Sequence, residues 1–325
     1  MEIKNFYKSS IFQKISYIII LLILSLISIQ IGVKDFDIFG LFKNNSEDVF
    51  IAIISRIPRV LSIIITGAGL SISGLIMQTI TNNRFLSPST AGTMEWCRMG
   101  ILIAIMFFGS SSQYSKIIVA FIVALFGNLL FMSILKKIQF KNALMLPLIG
   151  MMLGSVVSSI STFFAYKFDL VQNVSSWLQG SFSLVIKGNY EILYIGTICV
   201  ILAYIFANKF TIAGMGEEMA VNLGLDYKKI VTIGMVIVAF ITSLIVVTIG
   251  TIPFVGLIVP NIITMVKGDS VKSTLFDTAI FGSIFVLFCD IVGRIIIYPY
   301  EVSVSTVISV FGSILFLIIL FKKER

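Results

Sequence analysis

No histidine occurs anywhere in the 325 residues. Its absence removes imidazole general-base chemistry, histidine metal sites and every Ser-His or Cys-His nucleophile arrangement. Charge is scarce too. Asp, Glu, Lys and Arg make up 12% of the chain, against roughly 25% in a soluble domain. With 58% hydrophobic residues and a mean hydropathy of +1.05, aqueous solubility is excluded. Cysteine is limited to Cys97, Cys199 and Cys289, which lie far apart in apolar segments. No pair has metal-ligand spacing, so they read as small buried hydrophobes. No Gly is followed by Lys, which rules out a GxxxxGK[ST] phosphate-binding loop. No chain of acids crosses the apolar segments, as proton coupling would usually require. Asp290 is the one carboxylate placed deep within a well-defined apolar run. If the chain belongs to a pump, the energy source sits on another chain.

What the sequence has in abundance is apolar runs. A bilayer core needs about 20 apolar residues per helix, and the runs fit about ten spans. They fall near 15–33, 58–80, 92–108, 115–135, 143–165, 190–208, 229–250, 252–266, 275–297 and 303–321. The third and eighth are the weakest. The expected fold is an all-α membrane protein, with one transmembrane domain over 1–325. Lys4, Lys8 and Lys14 precede the first run, which is too long for a signal peptide and lacks a small-residue cleavage site. It reads as a retained first helix. The third span carries Glu95 and Arg98, an i,i+3 pair expected to neutralise itself in part near the cytoplasmic end.

Charge placement supports this topology. With both termini in the cytoplasm, 16 Lys and Arg fall inside and 8 outside, the bias expected of a membrane protein. The net charge of +8 is explained by that bias, and no nucleic-acid partner is invoked. Three segments are long and polar enough to act outside the bilayer: 34–57 and 166–189 on the outer side, and 209–228 on the inner side. The last is bracketed by Ala213-Gly214 and Gly224, and reads as one or two short surface helices. A helix exposed there suits docking of a partner.

Small residues recur at helix-contact spacing in two spans. The second has Gly67, Gly69, Ser71, Ser73 and Gly74, with Gln78 near its inner end. The fifth has Gly150, Gly154, Ser158 and Thr162, with Ser155, Ser159 and Ser161 beside them. Close helix packing accounts for such stripes; the fifth, rich in hydroxyls, is also a candidate to border a polar path or a dimer seam. Asp290 lies one turn before Arg294, and a local ion pair is the plain reading. No catalytic or metal-ligating constellation emerges.

Four stretches resemble the FecCD family, the permease subunits of ABC importers for iron-siderophores, haem and cobalamin. Arg56-Ile57-Pro58-Arg59-Val60-Leu61, followed by Gly67, Gly69, Gly74 and Gln78, is similar to the family's entry into its second span. Gly216-Glu217-Glu218-Met219-Ala220, then Leu223-Gly224, is similar to its cytoplasmic coupling helices. Gly250-Thr251-Ile252 through Phe254-Val255-Gly256-Leu257-Ile258-Val259-Pro260 matches its longest motif. Asp290, Arg294, Glu301 and Gly312 complete its last two spans. Arg84 stands where the family usually has a proline, and Asn261 where it usually has a histidine. Both resemble a siderophore subgroup, as does Thr93-Met94-Glu95-Trp96.

The resemblance implies a type II ABC importer permease (BtuC-like) fold that pairs with a second permease, identical or related, in a bacterial cell membrane. It further implies cytoplasmic ATPase subunits that bind the ATP, and a binding lipoprotein or periplasmic protein that delivers a ferric siderophore. Haem or cobalamin is the alternative cargo; a secondary transporter or an intramembrane enzyme is the alternative class. Arg56, Arg59 and Arg294 lie at outer span ends, where the charge bias disfavours them. The resemblance implies that they receive carboxylates of the binding protein; local pairing or lipid phosphate is the other reading. Within 212–225, Gly216, Glu217, Glu218, Met219, Ala220, Leu223 and Gly224 are expected to form the ATPase coupling element. Met219, Ala220, Leu223 and Gly224 would face the partner, while Glu217 and Glu218 also suit a helix start. Gly150, Gly154, Ser158 and Thr162 are expected to border the path or the dimer seam.

Overall fold

The computed structural model describes residues 2–32, 46–109, 113–137 and 145–323. Helix α1 spans Glu2–Gln30, α2 Ser46–Ile51, α3 Ile57–Ile80, α4 Thr93–Phe108, α5 Gln113–Lys137, α6 Met145–Lys167 and α7 Val171–Leu178. Then follow α8 Tyr194–Ala213, α9 Glu217–Asn222, α10 Tyr227–Thr248, α11 Val255–Lys267, α12 Val271–Ile295 and α13 Val304–Lys323. Among the described residues, seven stretches are long and apolar enough to cross a membrane, by length and composition. They are α1, the continuous α2–α3 rod, α5, α6, α8, α10 and α12. Three further helices, α4, α11 and α13, pack into the same bundle, which makes the ten expected.

The boundaries moved most where polar residues mislead. The 46–56 stretch, read above as part of an extramembrane segment, is helical and runs into α3 through a π-helical turn at Ala52–Arg56. Glu47 and Asp48 sit in its first turn, where carboxylates meet the helix dipole favourably. The rest of 34–57, from 34 to 45, lies outside the described residues. Helix α8 likewise continues to Ala213, into the segment expected to be extramembrane.

Helix α3 runs through the centre, against α12, α11, α10 and α8. In α3 and α10, 78% of the residues in the span are buried, against 6% in α1. The outer helices turn Ile, Leu and Phe outward along their length, as lipid requires. Glycine sets the central spacing: a Cβ on Gly67 would come within 2.5 Å of the Gly282 carbonyl, and one on Gly74 within 1.8 Å of the Gly256 carbonyl. The second-span stripe is therefore a packing surface.

Helix α11 has 13 residues, shorter than a bilayer core. Its lead-in, 249–254, is irregular backbone held inside protein, the setting in which such backbone is tolerated at membrane depth. Thr251 N–H donates to the Leu178 carbonyl at 3.1 Å and Ser181 N–H to the Ile249 carbonyl at 3.2 Å. Pro260 within α11 has no N–H for the Gly256 carbonyl four residues back. Gln78 of α3 supplies the missing donor, reaching Gly256 O at 3.3 Å and Leu257 O at 3.1 Å. Asn261 donates to the Leu257 carbonyl and to the Arg84 carbonyl, at 2.8 and 2.7 Å. It thereby ties α11 to the turn after α3.

Candidate functional site

The candidate residues sort to two ends of the bundle: Arg56 and Arg59 stand at the start of α3, and Gly214, just before α9, lies against Thr79 near the end of α3. Arg56, Arg59 and Arg294 lie together at one end, and α9 lies at the other.

At the first end the arginines face inward. Arg294 is 3% exposed, against Asp290 at 2.8 Å, and donates to the carbonyls of Ser28 and Ile31 at 2.9 and 2.8 Å and to the Ser28 hydroxyl. Arg59 takes the other Asp290 oxygen at 2.8 Å and both oxygens of Glu301, at 2.9 and 3.0 Å. Arg56 donates to the Ile31 carbonyl. The local ion pair foreseen for Asp290 and Arg294 is present. An outward-facing role for Arg294 is not supported by this placement, because a buried guanidinium committed to four acceptors has no reach to a partner. The network joins the end of α1 to α3, α12 and the start of α13. Asp290 is not the sole deep carboxylate: Asp277 of α12, 1% exposed, pairs with Lys267 at 2.7 Å. Its neighbourhood in sequence gave no sign of that, since Lys267 closes the preceding helix.

Beside this network a cavity of about 480 Å³ opens between α7, the 179–190 segment, the end of α10 and the start of α13. Trp177, Gln179, Ser181, Tyr190, Glu301 and Ser303 are among its walls. Lys116 stacks on the Trp177 ring at 4.1 Å. The Tyr190 hydroxyl meets that of Tyr194 at 3.1 Å, and this hydrogen bond, with burial, pushes the Tyr190 phenol up to about 12. The cavity was not legible beforehand, although Trp177, Gln179 and Gly180 mark the polar segment that forms one wall.

At the second end α9 stands as one short helix between α8 and α10. Gly216 enters it with φ +102°, and Glu217 and Glu218 occupy its first turn. Gly224 leaves it with φ +79°. There Gly224 N–H bonds the Val221 carbonyl at 2.9 Å and Leu225 N–H the Ala220 carbonyl at 2.9 Å. This is the paired closure that a left-handed glycine permits. One expectation is corrected. Ala220 is fully buried against the bundle and does not face a partner. Gly224 is exposed, and its left-handed backbone also closes the helix. The outward apolar set is Met215, Met219, Val221 and Leu223, each more than half exposed. Val221 and Met215 were missed, because only the helix's rotation decides which side faces out. A second cavity, of about 360 Å³, lies nearby between Gln78, Asn82, Arg84, Thr211 and Asp269, with Arg84 and Asp269 paired at 2.9 Å.

The fifth-span stripe is also relocated. Gly150 and Gly154 press on Thr90, Ala91 and Gly92, where a Cβ on Gly150 would come within 2.3 Å of the Thr90 carbonyl. Arg98 of α4 donates to the Ser158 and Thr162 hydroxyls at 3.3 and 3.5 Å. The stripe is thus an α4–α6 contact within the subunit, the packing alternative. No Glu95–Arg98 ion pair is present among the described residues. The exposed face of α6 is the adjacent one: Met151, Met152, Ser155, Val156 and Ser159. No group of three or more metal-ligating side chains occurs among the described residues.

The FecCD transport family model matches residues 17–322. A petrobactin import system permease protein, YclN of Bacillus subtilis, is 53% identical over 313 residues, covering 96% of this chain and 99% of that one. The ferric-anguibactin transport system permease protein FatD of Vibrio anguillarum is 36% identical, covering 88% and 92%. Among solved structures, a metal-chelate type ABC transporter in an inward-facing conformation superposes with a TM-score of 0.81 over 95% of this chain and 98% of that one. At 24% identity that likeness speaks for the fold alone. The expected ten-helix importer-permease fold and the observed bundle agree.

Proposed function

We propose, from the premise that this chain belongs to the FecCD transport family, that it is the membrane-spanning permease subunit of an ATP-driven importer for ferric siderophores. The observation that carries the cargo assignment is the end-to-end similarity to permeases named for petrobactin and anguibactin. Siderophore cargo is preferred to haem or cobalamin on that ground. The reading treats residues 1–325 as one transmembrane domain that binds no ATP itself. A cytoplasmic ATPase supplies the energy, and a second permease subunit completes the path.

Orientation follows from the charge bias, which puts the α9 end and both termini in the cytoplasm of a bacterial cell. There α9, with Met215, Met219, Val221 and Leu223 outward, is the surface that seats against the ATPase. The arginine end faces outward and receives the binding protein through Arg59, with Arg56 beside it and Arg294 anchoring the network from within. Deleting the gene should abolish uptake of radioiron presented as ferric petrobactin, and the intact gene should restore it. Undiminished uptake by the deletion strain, with no second permease able to substitute, overturns the assignment.

A further inference from the structure

Arg59 holds two carboxylates that differ in one respect. Asp290 is buried, its side chain 2% exposed, whereas Glu301 is 27% exposed and grips both terminal nitrogens of the guanidinium. Bidentate carboxylate–arginine pairing is the strongest form such a contact takes, and here it occupies the Nη1–Nη2 edge of Arg59, whose Nε is buried. An acidic side chain arriving from outside therefore meets Glu301 first. Two carboxylates on one guanidinium edge repel each other, so the newcomer replaces Glu301 and does not join it. Exchange is inexpensive because Arg59 keeps Asp290 throughout, and no buried charge is stranded. Glu301 also has somewhere to go. It lines the 480 Å³ cavity, so its carboxylate can turn from Arg59 toward the Ser181 and Ser303 side and toward water. Its backbone stays in place, with Val302 N–H on the Gly293 carbonyl at 2.9 Å and Tyr300 N–H on the Ile297 carbonyl at 2.8 Å.

We infer that Glu301 is an internal stand-in for the docking partner's carboxylate, holding Arg59 until an acidic residue of the binding protein takes its place. The inference rests on the docking reading above and adds its regulation. A resident competitor lowers the apparent affinity by the fraction of time that Arg59 is occupied, which suits a partner that must leave after each delivery. It also reports arrival, since the displaced Glu301 moves on the wall of the cavity.

The test uses the assembled importer in lipid nanodiscs, titrated with the substrate-binding protein of the same importer. Glu301→Gln keeps the shape and removes the charge, and is expected to bind the partner about tenfold more tightly at low salt. Glu301→Asp, which keeps the charge on a shorter arm, should fall between it and the wild type. A fluorophore at Tyr300→Cys, next in sequence and 76% exposed, should change its emission on docking in the wild-type background and not in the Gln variant. If the wild type binds but the Gln variant binds equally or less well, or the fluorophore stays silent on docking, the exchange is wrong and the docking reading stands. If the wild type does not bind at all, the docking reading falls and the inference with it.

Discussion

Polar and apolar groups are arranged in opposite ways at the two ends of the bundle. At the arginine end, charges are turned inward and shared: Asp290 serves Arg59 and Arg294 at once, and the Ser28 and Ile31 carbonyls take up further Arg294 donors. At the α9 end, one turn and a half of helix is held on the surface by two left-handed glycines and one buried alanine, with apolar side chains left in the open. The difference is one of energy scale. A buried ion network is held together because stranding any member costs several kcal/mol. Four exposed side chains, two Met, one Val and one Leu, cost little until something covers them. The arginine network can accept a partner only by exchanging contacts, whereas the apolar face of α9 can accept one simply by burial.

The largest effect should come from removing the shared anion. Asp290→Ala leaves two buried guanidinium groups without their common partner, and loss of about 3–5 kcal/mol is expected. In detergent the variant should unfold at a markedly lower temperature or fail to accumulate in the membrane. A double change, Asp290→Leu with Arg294→Met, should recover much of that loss. If Asp290→Ala alone melts like the wild type, the network does not hold the end together.

A smaller loss is expected at the other end. Gly224→Val forces a β-branched residue into a left-handed conformation, at a cost of about 1–2 kcal/mol, with open space around the new Cβ. The bundle should therefore persist while α9 loses its closure. Uptake should fall to background with nearly normal protein levels in the membrane. Full transport by this variant would remove α9 from the coupling argument.

The smallest structural effect, and the cleanest contrast, belongs to the double change Met219→Ser and Leu223→Ser. Both side chains are exposed, so stability should stay within about 0.5 kcal/mol of the wild type. Association with the ATPase, followed by co-purification, should nevertheless drop sharply. Retained association would place the docking surface elsewhere at that end.

The sequence by itself determined the membrane class and the approximate number of helices. Apolar runs and the bias of Lys and Arg are one-dimensional signals, because a bilayer acts on each segment separately. It also determined the packing glycines of α3, since a close helix contact needs a small residue whatever its neighbour. The paired Asp290 and Arg294 were legible for the same reason, being four residues apart on one helix. What only the tertiary structure decided is which face each residue presents and what lies across from it. Arg59 and Glu301 are 242 residues apart, Gln78 and the Gly256 carbonyl 178. Nothing in local spacing relates them. The fifth-span stripe turned to α4, and Ala220 turned into the bundle, because rotation of a helix is set by the contacts of the whole assembly. Hydrophobicity fixes that a segment enters the membrane, but around an apolar helix it leaves the direction open; packing and the pairing of the few buried charges choose it.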